Sequence, residues 1–122
     1  TKMLNEFKKN LNSVIFGATS FWSGVDIPGE SLSNVIITKL PFLVPSHPLV
    51  QARCEKIEQE GKRPFTEYQL PEAILRLRQG IGRLIRTKTD SGLVAILDSR
   101  IITKSYGKSF LDSIPKCKVN IE

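Results

Sequence analysis

Arg76-Leu77-Arg78-Gln79-Gly80-Ile81-Gly82-Arg83-Leu84-Ile85-Arg86 is the most informative stretch of the 122-residue chain. Upstream of it, Pro71 suits the first turn of a helix and Glu72 stands beside it, which predicts a helix running to about Thr87. An α-helix advances about 100° per residue. With Gln79 set at zero, Arg83 falls near about 40°, Arg86 near about −20° and Arg76 near about 60°. Ile74, Leu77, Ile81, Leu84 and Ile85 fall between roughly 140° and 240°. One side therefore carries a glutamine and three arginines, and the opposite side is aliphatic.

A basic face on a surface helix is usually solvated charge and nothing more. Two features set this one apart. Its polar side is expected to lack acidic partners one turn away. Gly80 and Gly82 sit mid-helix, each at about 1 kcal/mol relative to Ala, which suits a site where something approaches the backbone closely. Guanidinium forks bind phosphate oxygens in pairs, so an uncompensated arginine row suits a polyphosphate.

Around this helix, apolar runs alternate with helical patterns. Residues 3–11 place Met3, Leu4, Phe7 and Leu11 near helical spacing. Val14 to Thr19 reads as a short buried parallel strand. Ser20 to Glu30, with Gly24, Pro28 and Gly29, reads as a loop. Asn34 to Leu40 is a second, β-branched strand pattern ending at Pro41. A helix is expected from about Leu49 to Glu60, stopping at Gly61, and then a loop from Lys62 to Leu70. Leu93 to Leu97 is a third strand pattern, and a last helix is expected from about Lys104 to Ser113, broken by Pro115. Strands alternating with helices predict an α/β fold with a mostly parallel sheet flanked by helices.

The bulk figures agree with one soluble domain over 1–122, at 40% hydrophobic and 25% charged residues. The 18 Lys and Arg outnumber the 12 Asp and Glu for a net charge of +6, which favours phosphate-bearing partners. Cys54 and Cys117 form no CxxC pair, so neither a metal site nor a disulfide framework is expected, and free thiols in a reducing cytoplasm are. No stretch approaches the roughly 18 apolar residues of a membrane span. The chain opens at Thr1 without an initiator Met, as expected of a piece of a longer protein.

Gln79-Gly80-Ile81-Gly82-Arg83-Leu84-Ile85-Arg86 resembles the QxxGRxxR signature, motif VI of superfamily 2 helicases. Thr19-Ser20-Phe21-Trp22-Ser23-Gly24-Val25-Asp26-Ile27-Pro28-Gly29 resembles motif V of the DinG and XPD-like branch, although that family more often has Glu where Ser23 stands. The intervening LPFLVPSHP and the later LDSRIITKSYGKSFLDSIP are similar to DinG-type helicases too, so the likeness covers nearly the whole chain. The resemblance implies part of the second RecA-like motor domain of an ATP-dependent DNA helicase. It implies that Gln79, Arg83 and Arg86 face the ATP phosphates across a cleft, with Arg86 as arginine finger, which would neutralise charge on the transferred phosphoryl group. It implies further that Gly24 and Asp26 approach the nucleotide, and that Thr19, Ser20 and Trp22 lie on the DNA track. Trp22 could stack on a base or pack under its loop.

Other residues carry weaker signals. His47, in a proline-rich loop, fits surface packing better than ligation. Lys39, Arg53 and Lys104 could touch phosphates, but plain solvated charge explains each. Asp98 and Arg100 follow the carboxyl end of a strand, a position often functional in α/β sheets, and an ion pair pinning the loop is an equal alternative.

No GxxxxGK[ST] loop or DEAH-like acidic pair occurs. ATP and Mg2+ would therefore be held mainly by a first motor domain elsewhere in the same polypeptide. Four cysteines for an iron–sulfur cluster do not occur in this stretch either, and an exonuclease domain in the parent is open. The expected partners are single-stranded or forked DNA, with RNA not excluded, and no membrane. The competing expectation is a non-catalytic helicase-like module that binds nucleic acid or protein.

Overall fold

The computed structural model describes residues 2–18, 32–84 and 90–122. Helix α1 spans Lys2–Lys9 and buries Phe7. Strand β1 is Asn34–Ile37 and strand β2 is Leu93–Ile96. They pair in parallel, with Asn34 opposite Leu93 and Ile37 opposite Ile96. Backbone hydrogen bonds extend the pair at both ends, Leu93 N–H to Ser33 O at 3.0 Å and Leu97 N–H to Ile37 O at 2.9 Å. Parallel neighbours require a crossover of a dozen or more residues. Here it holds helix α2, Pro48–Gln59, and helix α3, Leu70–Gly82. Helix α2 ends at Gly61, whose φ of 75° is left-handed and so favours glycine. After β2 come the short α4, Arg100–Thr103, and α5, Gly107–Ser113. Among the described residues, then, helices accompany a small parallel sheet and pack on the side of Val35, Ile37, Val94 and Ile96, an α/β arrangement, while Ile36 on the other side is 65% exposed.

The core lies where α3 crosses the sheet. Ala73 and Leu77 are fully buried, and Ile81 nearly so, against Ile37, Leu40, Ile101 and Phe110. Val35, Val94 and Ile96 complete the inward side of the strands. A second cluster joins this core at the carboxyl ends of the strands. Phe42 stacks on Phe65 at 6.0 Å between ring centroids and meets Tyr106 and Phe110 edge-on at 5.7 Å each. Offset and edge-on pairs of this kind add about 0.5–1.5 kcal/mol each beyond their burial.

Four sequence expectations need correction. Residues 14–18 are not a buried strand: Val14 is 80% and Phe16 91% exposed, and no regular element includes them. A strand needs a neighbour for its backbone groups as well as apolar side chains. Residues 64–69 are helical instead of loop, with Phe65–Gln69 forming a π-helical turn that leads into α3. Pro71 explains the widened turn. It offers no N–H, and its ring would meet the carbonyl of Glu67 in a regular helix. Leu70 N–H accordingly reaches back to Phe65 O, five residues away. Helix α3 ends at Gly82, where its last turn tightens: Arg83 N–H bonds to Gly80 O at 3.2 Å and Leu84 N–H to Ile81 O at 2.9 Å, and residues 85–87 of the expected span lie outside the described residues. The last helix, expected over about 104–113, begins only at Gly107 as α5, and the separate short α4 precedes it. At the corner, a Cβ on Gly107 would collide with the backbone carbonyl of Ile101, so the close approach demands glycine. The predicted loop 20–30 lies outside the described residues.

One carboxylate ties the strand ends together. Asp98, just past β2, accepts the backbone N–H of Leu40, just past β1, at 2.8 Å. It also accepts the Arg100 guanidinium through Nε at 2.9 Å and Nη2 at 2.6 Å. Arg100 in turn lies over the Phe42 ring at 5.3 Å. The hydrogen bonds from the Arg100 guanidinium hold the Asp98 carboxyl well below the usual carboxylate range; burial opposes this, and the N–H groups of Leu40 and Arg100 add to it. Of the two alternatives for Asp98 and Arg100, the structure matches the pinning ion pair. A charged hydrogen-bond partner that is buried when removed costs about 1.5–3 kcal/mol, so Asp98→Ala should lower the unfolding free energy of the chain by about that much in urea titrations. Because the folded-state pKa is depressed, the stabilisation is present above the unfolded carboxyl value near 3.8 and is lost as pH falls below it. The wild-type chain should therefore lose stability below about pH 4 more steeply than Asp98→Ala does, measured by the urea midpoint against pH.

Candidate functional site

The helix that carries the glutamine and arginines is held by its aliphatic stripe. Leu77, Ile81 and Leu84 are buried and Ile74 is half-buried, so four of the five positions assigned to that stripe face inward; Ile85 lies outside the described residues. The opposite side then faces out. Gln79 is exposed, and Arg76 and Arg83 are half-buried. Gln79 and Arg83 are thus brought together on one side of the last turn of α3. Arg83 also stands at the carboxyl end of the helix, where a cation complements the partial negative charge of the terminal carbonyls.

The polar side is not wholly without acidic neighbours, as the sequence expectation had it. Glu72 stands one turn before Arg76. Among the described residues, however, no ion pair joins the two. Gly82 proves informative in a different way. Among the described residues a Cβ there would meet nothing within 4 Å, so their packing does not require glycine. Gly92 is the opposite case: its Cβ would come within 2.7 Å of both Ser33 O and a Leu84 methyl. That contact also fixes where the site lies. Leu84, at the end of α3, sits beside the amino-terminal ends of the strands, whereas the Asp98–Arg100 pair sits at their carboxyl ends. Asp98 and Arg100 are therefore apart from the arginine-bearing end of α3.

Arg86 and the residues assigned from motif V, Thr19, Ser20, Trp22, Gly24 and Asp26, lie outside the described residues. His47 precedes α2 and is exposed, making no side-chain hydrogen bond at the helix start. Lys39 and Lys104 are exposed, and Arg53 lies over the Tyr68 ring at 5.3 Å. Cys54 is half-buried and Cys117 exposed, both as free thiols. Among the described residues no group of three metal-ligating side chains converges. No helix among them is long and apolar enough to cross a membrane. Two features escaped the sequence. The aromatic cluster of Phe42, Phe65, Tyr106 and Phe110 joins distant segments and has no local pattern. Leu75 is 48% exposed on the polar side of α3; the 100° projection would have placed it at about −40°, beside Gln79.

Helix α3 thus sets an aliphatic stripe against a parallel α/β sheet and turns a glutamine–arginine face outward. The sequence matches the family described as helicase C-terminal domain over residues 1–117, and the chain belongs to that family. It is 47% identical over 119 residues to the 3'-5' exonuclease DinG of Bacillus subtilis, covering 98% of this chain and 13% of that protein. It is 49% identical over 114 residues to the ATP-dependent DNA helicase YoaA of Haemophilus influenzae, covering 93% of this chain and 18% of that protein. It is 49% identical over 115 residues to the ATP-dependent DNA helicase DinG of Photobacterium profundum, covering 94% of this chain and 17% of that protein. The chain thus spans less than a fifth of the length of these relatives.

The glycine geometry gives a paired expectation. Gly82→Ala should leave stability unchanged or raise it by up to about 1 kcal/mol, since Ala is the better helix former and meets no obstacle. Gly107→Ala should cost about 2 kcal/mol or more, because the backbone itself must move. Thermal or urea denaturation of the two variants checks both.

Proposed function

We propose that this chain is part of the second RecA-like motor domain of an ATP-dependent DNA helicase, and that it completes the ATP site of a first motor domain carried by the same polypeptide. The observation that carries the proposal is the outward row on α3, with exposed Gln79 and half-buried Arg83 opposite a buried aliphatic stripe. Arg86 continues that row in the sequence and is assigned as the arginine finger. Guanidinium groups held on a packed helix meet developing charge without reorganising, which is where electrostatic catalysis of phosphoryl transfer gains most. Gly24 and Asp26 are assigned to the nucleotide, and Thr19, Ser20 and Trp22 to the DNA strand. ATP and Mg2+ would be gripped mainly by the other domain. The arginines here would act only when the domains close, so that hydrolysis and reopening drive stepping along single-stranded or forked DNA. DNA is preferred over RNA because relatives such as the Haemophilus and Photobacterium proteins are named DNA helicases. The name of the Bacillus relative leaves room for an exonuclease domain in the parent.

The isolated 122-residue chain should show no ATP turnover above background in a phosphate-release assay. In the full-length protein, Arg86→Ala should lower DNA-stimulated turnover by about 10³-fold or more, the usual scale for an arginine finger, while ATP affinity stays within about three-fold. Normal turnover in that variant removes the finger assignment; robust turnover by the isolated chain removes the two-domain account and leaves the non-catalytic module without support as well.

A further inference from the structure

Exposed lysines and a partly exposed ring are each ordinary on a protein surface. The aromatic cluster at the carboxyl ends of the strands differs because three separate segments bring rings and cations to it together. Phe42, Phe65 and Tyr106 lie within 6.0 Å of one another between ring centroids. Phe65 keeps 37% of its surface exposed. Lys39 stands three residues before Phe42, Lys62 and Arg63 just before Phe65, and Lys104 two residues before Tyr106. A chain spans at most about 3.6 Å per residue, so the backbones of Arg63 and Lys104 lie within about 7 Å of those of Phe65 and Tyr106. All four cations are exposed, and among the described residues none is in an ion pair. The acids nearest them in sequence are Glu60 and Glu67, both exposed. Asp98 is already taken by Arg100, and Lys108 by Asp112. Positive charge therefore prevails around the rings.

We propose that this cation-rimmed cluster is a binding site for single-stranded DNA, with a base laid on the exposed part of Phe65 and backbone phosphates met by Lys62, Arg63 and Lys104. This rests on the DNA-helicase reading above. The occupant follows from the pairing of rings with cations. A ring offers a stacking surface to any base, and a cation that meets a phosphate releases condensed counterions. Together they select an unpaired strand, because in a duplex the faces of the bases are already stacked on one another. Contacts with Phe42 and Tyr106 order the Phe65 ring beforehand, so a base meets it with little further loss of side-chain freedom. The site lies at the carboxyl ends of the strands, apart from the arginine-bearing end of α3. Strand and nucleotide would thus be held at opposite ends of one sheet.

The test is fluorescence anisotropy of the full-length protein with a labelled oligo-dT strand and with an abasic strand of the same length. Lys62→Gln, Arg63→Gln and Lys104→Gln combined should leave the thermal midpoint unchanged and weaken oligo-dT binding by about ten-fold or more. The slope of log affinity against log salt should fall by about 2 in that variant, at about 0.7 for each lost phosphate contact. Phe65→Leu should weaken oligo-dT binding by about five-fold or more while the abasic strand stays within about two-fold, because only a base can stack. Wild-type affinity and salt slope in the triple variant overturn the site. Wild-type oligo-dT affinity in Phe65→Leu, or equal weakening of both strands, overturns the stacking, because the ring would then matter for the fold alone. If the wild-type protein binds no single-stranded DNA, the DNA reading itself fails; if it binds and the triple variant binds equally well, only this site fails.

Discussion

Burial of one aliphatic stripe governs this domain. Ala73, Leu77 and Ile81 fill the space between α3 and the strands, and with them inside, the helix has a single rotational setting. Truncating Leu77 or Ile81 to Ala costs about 2–5 kcal/mol. Turning the helix by one residue would unseat all of them together and expose them to water. The outward positions of Gln79 and Arg83 are therefore fixed by hydrophobic packing on the other side of the helix.

The sheet gives that helix a rigid floor, and the two ends of the sheet have different jobs. At the carboxyl ends, the Asp98 carboxylate gathers the Leu40 amide and the Arg100 guanidinium, and Arg100 covers Phe42. This is a dense, stabilising corner. At the amino-terminal ends, Gly92 lets Ser33 and Leu84 come close, so the end of α3 is pressed against the start of β2. The polar row emerges there. Stability and the proposed chemistry are thus separated by the length of the strands, and a change at the Asp98 corner should disturb folding without touching the arginine row.

Much of this was legible in the sequence. The stripe and the row follow from helical periodicity alone, and β1, α2 and β2 fall within a few residues of their apolar runs and their glycine and proline stops. What could not be read depended on distant contacts or on single backbone positions. The π turn before α3 reflects the missing N–H of Pro71. The break between α4 and α5 reflects one contact between Gly107 and Ile101. Residues 14–18 show the converse failure. Their composition suits a buried strand, but apolar character without a pairing edge does not make one. The family resemblance rests on two motifs, of which the described residues include Gln79 and Arg83.

The central claim is that Arg83 and Arg86 act on charge that develops during phosphoryl transfer more than on bound nucleotide. In the full-length protein, affinities for ADP alone and for ADP with aluminium fluoride, a mimic of the transferring phosphoryl group, separate these two effects. The account predicts that Arg83→Ala and Arg86→Ala each weaken the aluminium fluoride complex by about 100-fold or more while ADP affinity changes by less than about three-fold. Equal weakening of both complexes, or no weakening of either, would contradict it.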